Sequence, residues 1–365
     1  MVICGNVTTL DQIWSISKVC RAICWVFYTL TTAPFASVWM TTSPLTSGTE
    51  SCIPSLWVTN ACSIETRYVR ILMSFLHVLP SATEPNLIVM ETQELTLFAC
   101  ALDVLTTGSV FAKAKKTSEY AAQWKDGVIT VVFNEKDDVK SVPDHPARPD
   151  NVKIVPPHKA KPRSRTAFVH TLAHAEGHAI DVMWDTVCRF VLQNLPRAFY
   201  DDWVRVAGEE AKHFLKWAER LTELGSFYGD HSGHEGFWDA AYETRGSLLA
   251  RLAVVNLVHE ARGLDVHPNA VQRFAKADDK TSLEIIYNNN REETTHVGAG
   301  VSWFRYLCKQ NGEDPIATFH HIVPQYFKGT LKPPFNKEAR AKAGMSEEWY
   351  LPLSSDAGCT KKPVD

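Results

Sequence analysis

Glu210-Ala211-Lys212-His213 and Glu293-Thr294-Thr295-His296 are two Glu-x-x-His steps, each trailing a lone glutamate by a similar interval. Glu176 precedes Glu210 by 34 residues, and Glu260 precedes Glu293 by 33. Residues i and i+3 share a helix face, so each step aims one carboxylate and one imidazole the same way. One glutamate from each of two helices, plus a Glu-x-x-His from each of two others, is the ligand arithmetic of a carboxylate-bridged two-metal site inside a four-helix bundle. The predicted ligand set is therefore Glu176, Glu210, His213, Glu260, Glu293 and His296.

The neighbours of these residues sharpen that reading. Leu172, Ala173, Ala179, Ile180 and Met183 share the face of Glu176, and Trp203, Val206, Ala207, Phe214 and Trp217 share that of Glu210. A carboxylate on an apolar stripe is costly unless paired or metal-bound. Leu249, Ala253, Leu257 and Leu264 flank Glu260, whereas Asp239, Gly246 and Ser247 flank its rival Glu243, so Glu260 is preferred. Glu209, with Arg205 and Lys212 on its own face, reads as solvated.

Helical periodicity predicts helices over about 164–194, 198–224, 237–262 and 282–308, the third stopped by Gly263. The glycine-, histidine- and aspartate-rich stretch from Gly225 to Gly236 links the two helix pairs as a loop in which Tyr228, Asp230, His231 and His234 form a lid, a substrate mouth or merely a solvated crossing. Upstream, Leu95, Phe98, Ala99, Leu102 and Leu105 recur at a helical period, a second helix spans about 109–124, and Val128 to Phe133 reads as a short strand. The prolines from Pro143 to Pro162 dictate an extended strap. The expected organisation is a 1–90 extension, a 91–163 helical pair with strap, a 164–310 bundle carrying the metal site, and a 311–365 extension packing on it.

Several motifs compete for the same residues. His170, His174 and His178 are spaced by four, but His174 and His178 lie roughly 200° from Glu176, on a face continued by Asp181 and Asp185. They read as groups of a polar face, or as donors supporting the ligands. His174-Ala175-Glu176 matches the His-x-Glu of zinc deaminases, yet Pro-Cys-x-x-Cys is missing. It is not His-Glu-x-x-His either, so a zinc protease is unsupported. Tyr200, Asp201 and Asp202 open the second bundle helix; the acids suit a helix start, or one of them hydrogen-bonds a ligand histidine.

Composition sets the outer limits. The 365 residues are 45% hydrophobic with a formal net charge of -3, an ordinary globular balance without the basic excess that DNA binding favours. Nine scattered cysteines are consistent with reduced, intracellular usage, cytoplasmic by default. Between Asp11 and Glu50 there is no acid, and an interrupted apolar run from Ile23 to Met40 follows Lys18 and Arg21. That stretch fits a transit or signal segment, a mitochondrial one included. A short membrane helix, an unstructured extension or a misassigned start fits it as well.

Longer strings resemble a known family. Phe199-Tyr-Asp-Asp-Trp-Val-Arg-Val-Ala-Gly-Glu-Glu-Ala-Lys-His-Phe214, Tyr228-Gly-Asp230, Glu260-Ala-Arg-Gly-Leu-Asp-Val266 and Phe327-Lys-Gly-Thr-Leu-Lys-Pro-Pro-Phe-Asn336 look like the ferritin-like family catalogued as domain of unknown function 455. The resemblance runs from about Glu91 to Leu353. It implies an all-α, ferritin-like four-helix bundle with a di-iron centre on the same six residues, and a distant similarity to the di-iron hydroxylase of isopentenylated adenosine in tRNA. One departure stands out: Tyr287 to Glu292 is longer than the family pattern by about three residues, which predicts a late start or a bulge in the fourth helix.

Four carboxylates and two imidazoles suit two Fe ions, or Mn, better than thiophilic metals, and their four negative charges match two divalent cations. The expected activity is that of an O2-dependent di-iron oxidoreductase of hydroxylase type. Its partners would be a reductase or ferredoxin-type electron donor and a small-molecule or tRNA substrate. The alternatives are a metal-binding or ferroxidase-type bundle, and a tRNA-modifying hydroxylase using Lys159, Lys161, Arg163, Arg165, Lys328, Lys332, Lys337, Arg340 and Lys342.

Overall fold

A computed structural model describes residues 95–149 and 151–356, and among them the protein is all-helical, with no strand beyond isolated bridges. The readings made for the first 90 residues lie outside the described residues. No described helix is long and apolar enough to cross a membrane.

Helices α1 (Leu97–Thr106) and α2 (Val110–Lys125) form the expected leading pair. Val128 to Phe133 is not a strand. It runs along the first turn of α1, where Leu97 and Phe98 donate their otherwise orphaned N–H groups to the carbonyls of Val131 and Val132, both at 2.9 Å. The strap follows as expected, extended apart from a single 3-10 turn at Pro157–Lys159.

Helices α3 (Arg165–Arg189) and α4 (Arg197–Glu223) pack along their length, joined by a short link that reverses the chain. Ser164 caps α3 by accepting from Ala167 N at 3.0 Å. Gly225, at φ 75°, ends α4, and Ser226 N reaches back to Leu221 O at 2.9 Å. Phe199, Trp203, Val206, Ala207, Phe214, Trp217 and Leu221 line the buried stripe of α4, with Glu210 and His213 in its middle.

The third bundle helix departs from expectation. A short α5 (Gly236–Glu243) breaks off, and α6 then runs as α-helix over Leu248–Arg251, as π-helix over Leu252–Glu260 and as α-helix again over Ala261–Lys276. The break is held by Arg251. It donates to Ala241 O at 2.7 Å and Thr244 Oγ1 at 3.0 Å, and pairs with Asp185 Oδ2 at 2.7 Å. Nor does Gly263 stop the helix. Even Pro268 is tolerated, because the Leu264 carbonyl that it leaves without an intrahelical donor accepts from Asn336 Nδ2 at 3.2 Å.

Helix α7 (Lys280–Asn311) runs unbroken through Tyr287 to Glu292, so the expected late start or bulge is absent there. The stretch forms ordinary helical turns: the Asn289 amide, suitably oriented, donates to Ile285 O at 3.1 Å and accepts from Trp217 Nε1 at 3.2 Å. The irregularity sits opposite, in the π segment of α6. Gly300 lets α7 approach it, since a Cβ there would lie 2.6 Å from that of Asn256. Helices α8 (Pro315–Tyr326), α9 (Lys337–Lys342) and α10 (Glu347–Tyr350) cover α7, with Phe304, Phe319 and Trp349 meeting edge to face.

Candidate metal centre

Helices α3, α4 and α7 bring Glu176, Glu210, His213 and Glu293 together, with ligand atoms all within 4.8 Å of one another. His296 joins them: its Nδ1 lies 2.8 Å from Glu210 Oε1 and 3.6 Å from Glu293 Oε2. His213 mirrors this, with Nδ1 3.2 Å from Glu293 Oε1 and 3.5 Å from Glu210 Oε2. Glu260, at the end of the π segment, is buried where the charges of Glu210, Glu293, His296 and Glu176 act on its carboxyl, but it is not one of the four residues whose ligand atoms draw within 4.8 Å; its rival Glu243 is exposed on α5. Both histidines and Glu210 are inaccessible to solvent.

The electrostatics are those of crowded like charges. Burial, and then the charges of Glu210 and Glu293, hold the carboxyls of Glu176 and Glu260 well above the usual range. Burial acts the same way on Glu293, but hydrogen bonding from His213 and His296 overrides it and keeps that carboxyl low. Conversely, carboxylates raise both imidazoles well above their ordinary value although burial opposes this.

Five buried atoms of this cluster, both carboxylate oxygens of Glu210, Glu260 Oε1, and Nδ1 of His213 and His296, have no hydrogen-bond partner outside the cluster itself. Buried polar atoms are ordinarily satisfied, so several orphans converging on one point are what a bound cation would relieve. The donor set, carboxylates and imidazoles without a thiolate, is of the hard to borderline kind.

The outer nitrogens explain why Nδ1 is the one that faces the cluster. His213 Nε2–H donates to Glu292 Oε2 at 2.7 Å, and His296 Nε2–H donates to Glu209 Oε2 at 2.7 Å. Each glutamate immediately before a Glu-x-x-His step thus crosses to the histidine of the other helix and fixes its tautomer. Glu209 is therefore not simply solvated. Arg205 and Lys212, which suggested solvation, instead hold the two crossing carboxylates. The signal in the sequence is the doubled acid, Glu209-Glu210 and Glu292-Glu293.

The residues expected to support the ligands do other work. Asp201 accepts from Trp124 Nε1 at 2.8 Å and Asp202 from Trp303 Nε1 at 2.9 Å; neither touches a ligand histidine, although Asp202 meets Arg205. Tyr200 is buried, and that burial pushes its hydroxyl up to about 12.

His174 belongs to a separate buried network beneath the strap and the 225–236 crossing. Its Nδ1 lies 3.0 Å from Tyr228 Oη and its Nε2 3.2 Å from His178 Nε2. His178 Nδ1 accepts from Arg148 at 2.6 Å, Gly229 N donates to His170 Nε2 at 3.0 Å, and Asp181 is bracketed by Lys113 and Arg148. Burial depresses His170 to about 4 and His174 to about 3, so both are neutral. Gly233 gives His174 its room, because any Cβ there would overlap the ring.

The family model described as Protein of unknown function (DUF455) matches residues 106–351, more than half of the chain. The chain belongs to this family. It is also similar to a Haemophilus influenzae protein described as "Uncharacterized protein", 36% identical over 190 residues, which cover 50% of this chain and 65% of that protein. No solved structure matches.

Proposed function

We propose that this member of the family is a ferritin-like, carboxylate-bridged two-metal protein and an O2-dependent oxidoreductase of hydroxylase type. The observation that carries this is the convergence of Glu176, Glu210, His213, Glu293 and His296 from three helices, with buried ligand atoms that have no partner outside the cluster. Glu210 and Glu293 each approach both histidines, and these four residues with Glu176 and Glu260 would hold the ions. Two bound iron ions would supply the redox chemistry with dioxygen. The chain's own contribution is to hold those ligands in a dry interior and to fix each imidazole through Glu209 and Glu292. Electrons for such chemistry come from a separate reductase or ferredoxin-type donor.

A groove of about 660 Å³ between α4 and α7 favours this over a closed ferroxidase-type bundle, because its wall includes Glu292, one hydrogen bond from His213. An RNA substrate has less support. Arg340 is buried and paired with Asp265 at 2.7 Å, which removes it from the surface set, and the exposed Lys337 and Lys342 are partly neutralised by Glu347 and Glu338.

Metal analysis of the purified chain tests the reading. About two equivalents of Fe or Mn per chain are expected, with loss in Glu210→Ala and in His296→Ala. Full metal content in both variants would refute the assigned ligands. O2 uptake coupled to a reductant but to no organic product would select the ferroxidase alternative.

A further inference from the structure

The two crossing carboxylates are matched in role but not in support. On the His296 side, Glu209 accepts from Arg205 Nη1 at 2.9 Å. The same guanidinium reaches Thr295 Oγ1 at 3.2 Å and Asp202 Oδ1 at 3.3 Å, and Asp202 is in turn fixed by Trp303 Nε1 at 2.9 Å. A planar guanidinium shared among three oxygens leaves Glu209 little freedom, and the indole anchors the far end.

On the His213 side the chain is shorter and ends in water. Glu292 is held by Lys212 alone, and the Lys212 side chain is 52% exposed. An ammonium on four rotatable carbons orders its partner less, and ordering it costs more entropy. Glu292 and Lys212 also line the groove between α4 and α7, together with Lys216, Arg220 and Asn288, whereas Glu209 and Arg205 lie outside it.

Resting on the two-metal reading above, we propose that the two ion positions are inequivalent. The ion beside His296 is the tightly held one; the ion beside His213 binds more weakly and exchanges with solvent through the α4–α7 groove. Glu209 and Glu292 act as positioning residues, each governing the ion on the histidine it holds. Loss of such an outer carboxylate ordinarily lowers metal affinity about 10–100-fold. Here that loss should fall on one step at a time.

Titration of the metal-free full-length chain with Co2+, followed by its visible absorption and by equilibrium dialysis, reads the two steps. Release into excess chelator reads the exchange. Wild type should take up two equivalents in steps at least about tenfold apart and release them in two phases. Glu292→Gln should weaken only the weaker step and Glu209→Gln only the tighter one. Lys212→Met, a surface change that touches no ligand, should speed the fast phase severalfold and leave the slow phase alone. It decides the matter should either glutamine variant fail to fold. Equal steps in wild type, both glutamine variants acting on one step, or Lys212→Met accelerating both phases alike would each overturn the asymmetry. Glu210→Ala separates the two levels: two equivalents still bound there would sink the two-metal reading itself, whereas their loss alongside equal wild-type steps would sink only the asymmetry.

Discussion

The two faces of α3 both carry polar groups away from solvent, fully at Asp181 and Asp185 and partly at Glu176, and resolve the cost differently. On one face Asp181 and Asp185 are neutralised from within the chain, Asp181 by Lys113 and Arg148, and Asp185 by Arg189 and Arg251. On the other, Glu176 faces Glu210 and Glu293 with no lysine or arginine close by, and only two histidines balance the carboxylates. A buried charge that brings its own counter-ion is architecture, whereas one that lacks it implies a cation from outside. Burial alone would not have told them apart.

The comparison fails if the self-paired face proves dispensable. Asp181→Ala leaves Lys113 buried without its anion and should cost about 3–5 kcal/mol in denaturant unfolding, with metal stoichiometry unchanged in whatever remains folded. Metal loss with no loss of stability would invert the assignment of the two faces. Gly233→Ala drives a methyl group into His174 and should cost about 1–3 kcal/mol by the same measurement, again sparing metal content. On the carboxylate face the sign reverses. Because burial and the neighbouring carboxylates make the folded Glu176 hold a proton that the unfolded chain releases, Glu176→Gln should raise the stability of the metal-free protein at neutral pH by about 1 kcal/mol while weakening metal uptake. A destabilised metal-free variant would mean that Glu176 already has a partner.

The smallest effect concerns pH. His170 is packed among Tyr228, His174, His231 and Asp230 and is pushed down to about 4 by burial and then by His231. An unfolded chain then binds a proton that the folded one refuses between about pH 6.5 and pH 4. This contribution is full above pH 6.5 and is lost as pH falls through that window. Thermal unfolding of His170→Asn should fall less steeply there than wild type. Superimposable profiles would remove His170 as a source of the acid sensitivity.

Much of this was legible in the sequence. The long helices α3, α4 and α7 announced themselves through period and end signals such as Ser164 and Gly225, and the residues of the two Glu-x-x-His steps, Glu210, His213, Glu293 and His296, do meet. What escaped depends on contacts between distant residues. Arg251 sets the break before α6 by reaching Asp185, and Asn336 lets a proline stand inside a helix; neither is visible in a local window. The crossing roles of Glu209 and Glu292 were hidden because a surface ion pair and a support for a ligand histidine use the same residue types on the same face. Only the partner across the helix pair distinguishes them.

The wide turns of Leu252–Glu260 make residue count the forgiving quantity in that stretch. A π turn accommodates an additional residue compared with an α turn. Deleting one amino acid from Leu252–Glu260 would let the backbone relax into the commoner pattern with Glu260 still in phase, because the wide turns carry the surplus. The same deletion in the regular turns of Ala261–Lys276, where nothing absorbs the loss, would swing all that follows by roughly 100°. Substitutions in the wide turns trim packing; a chain shortened outside them would rephase the helix.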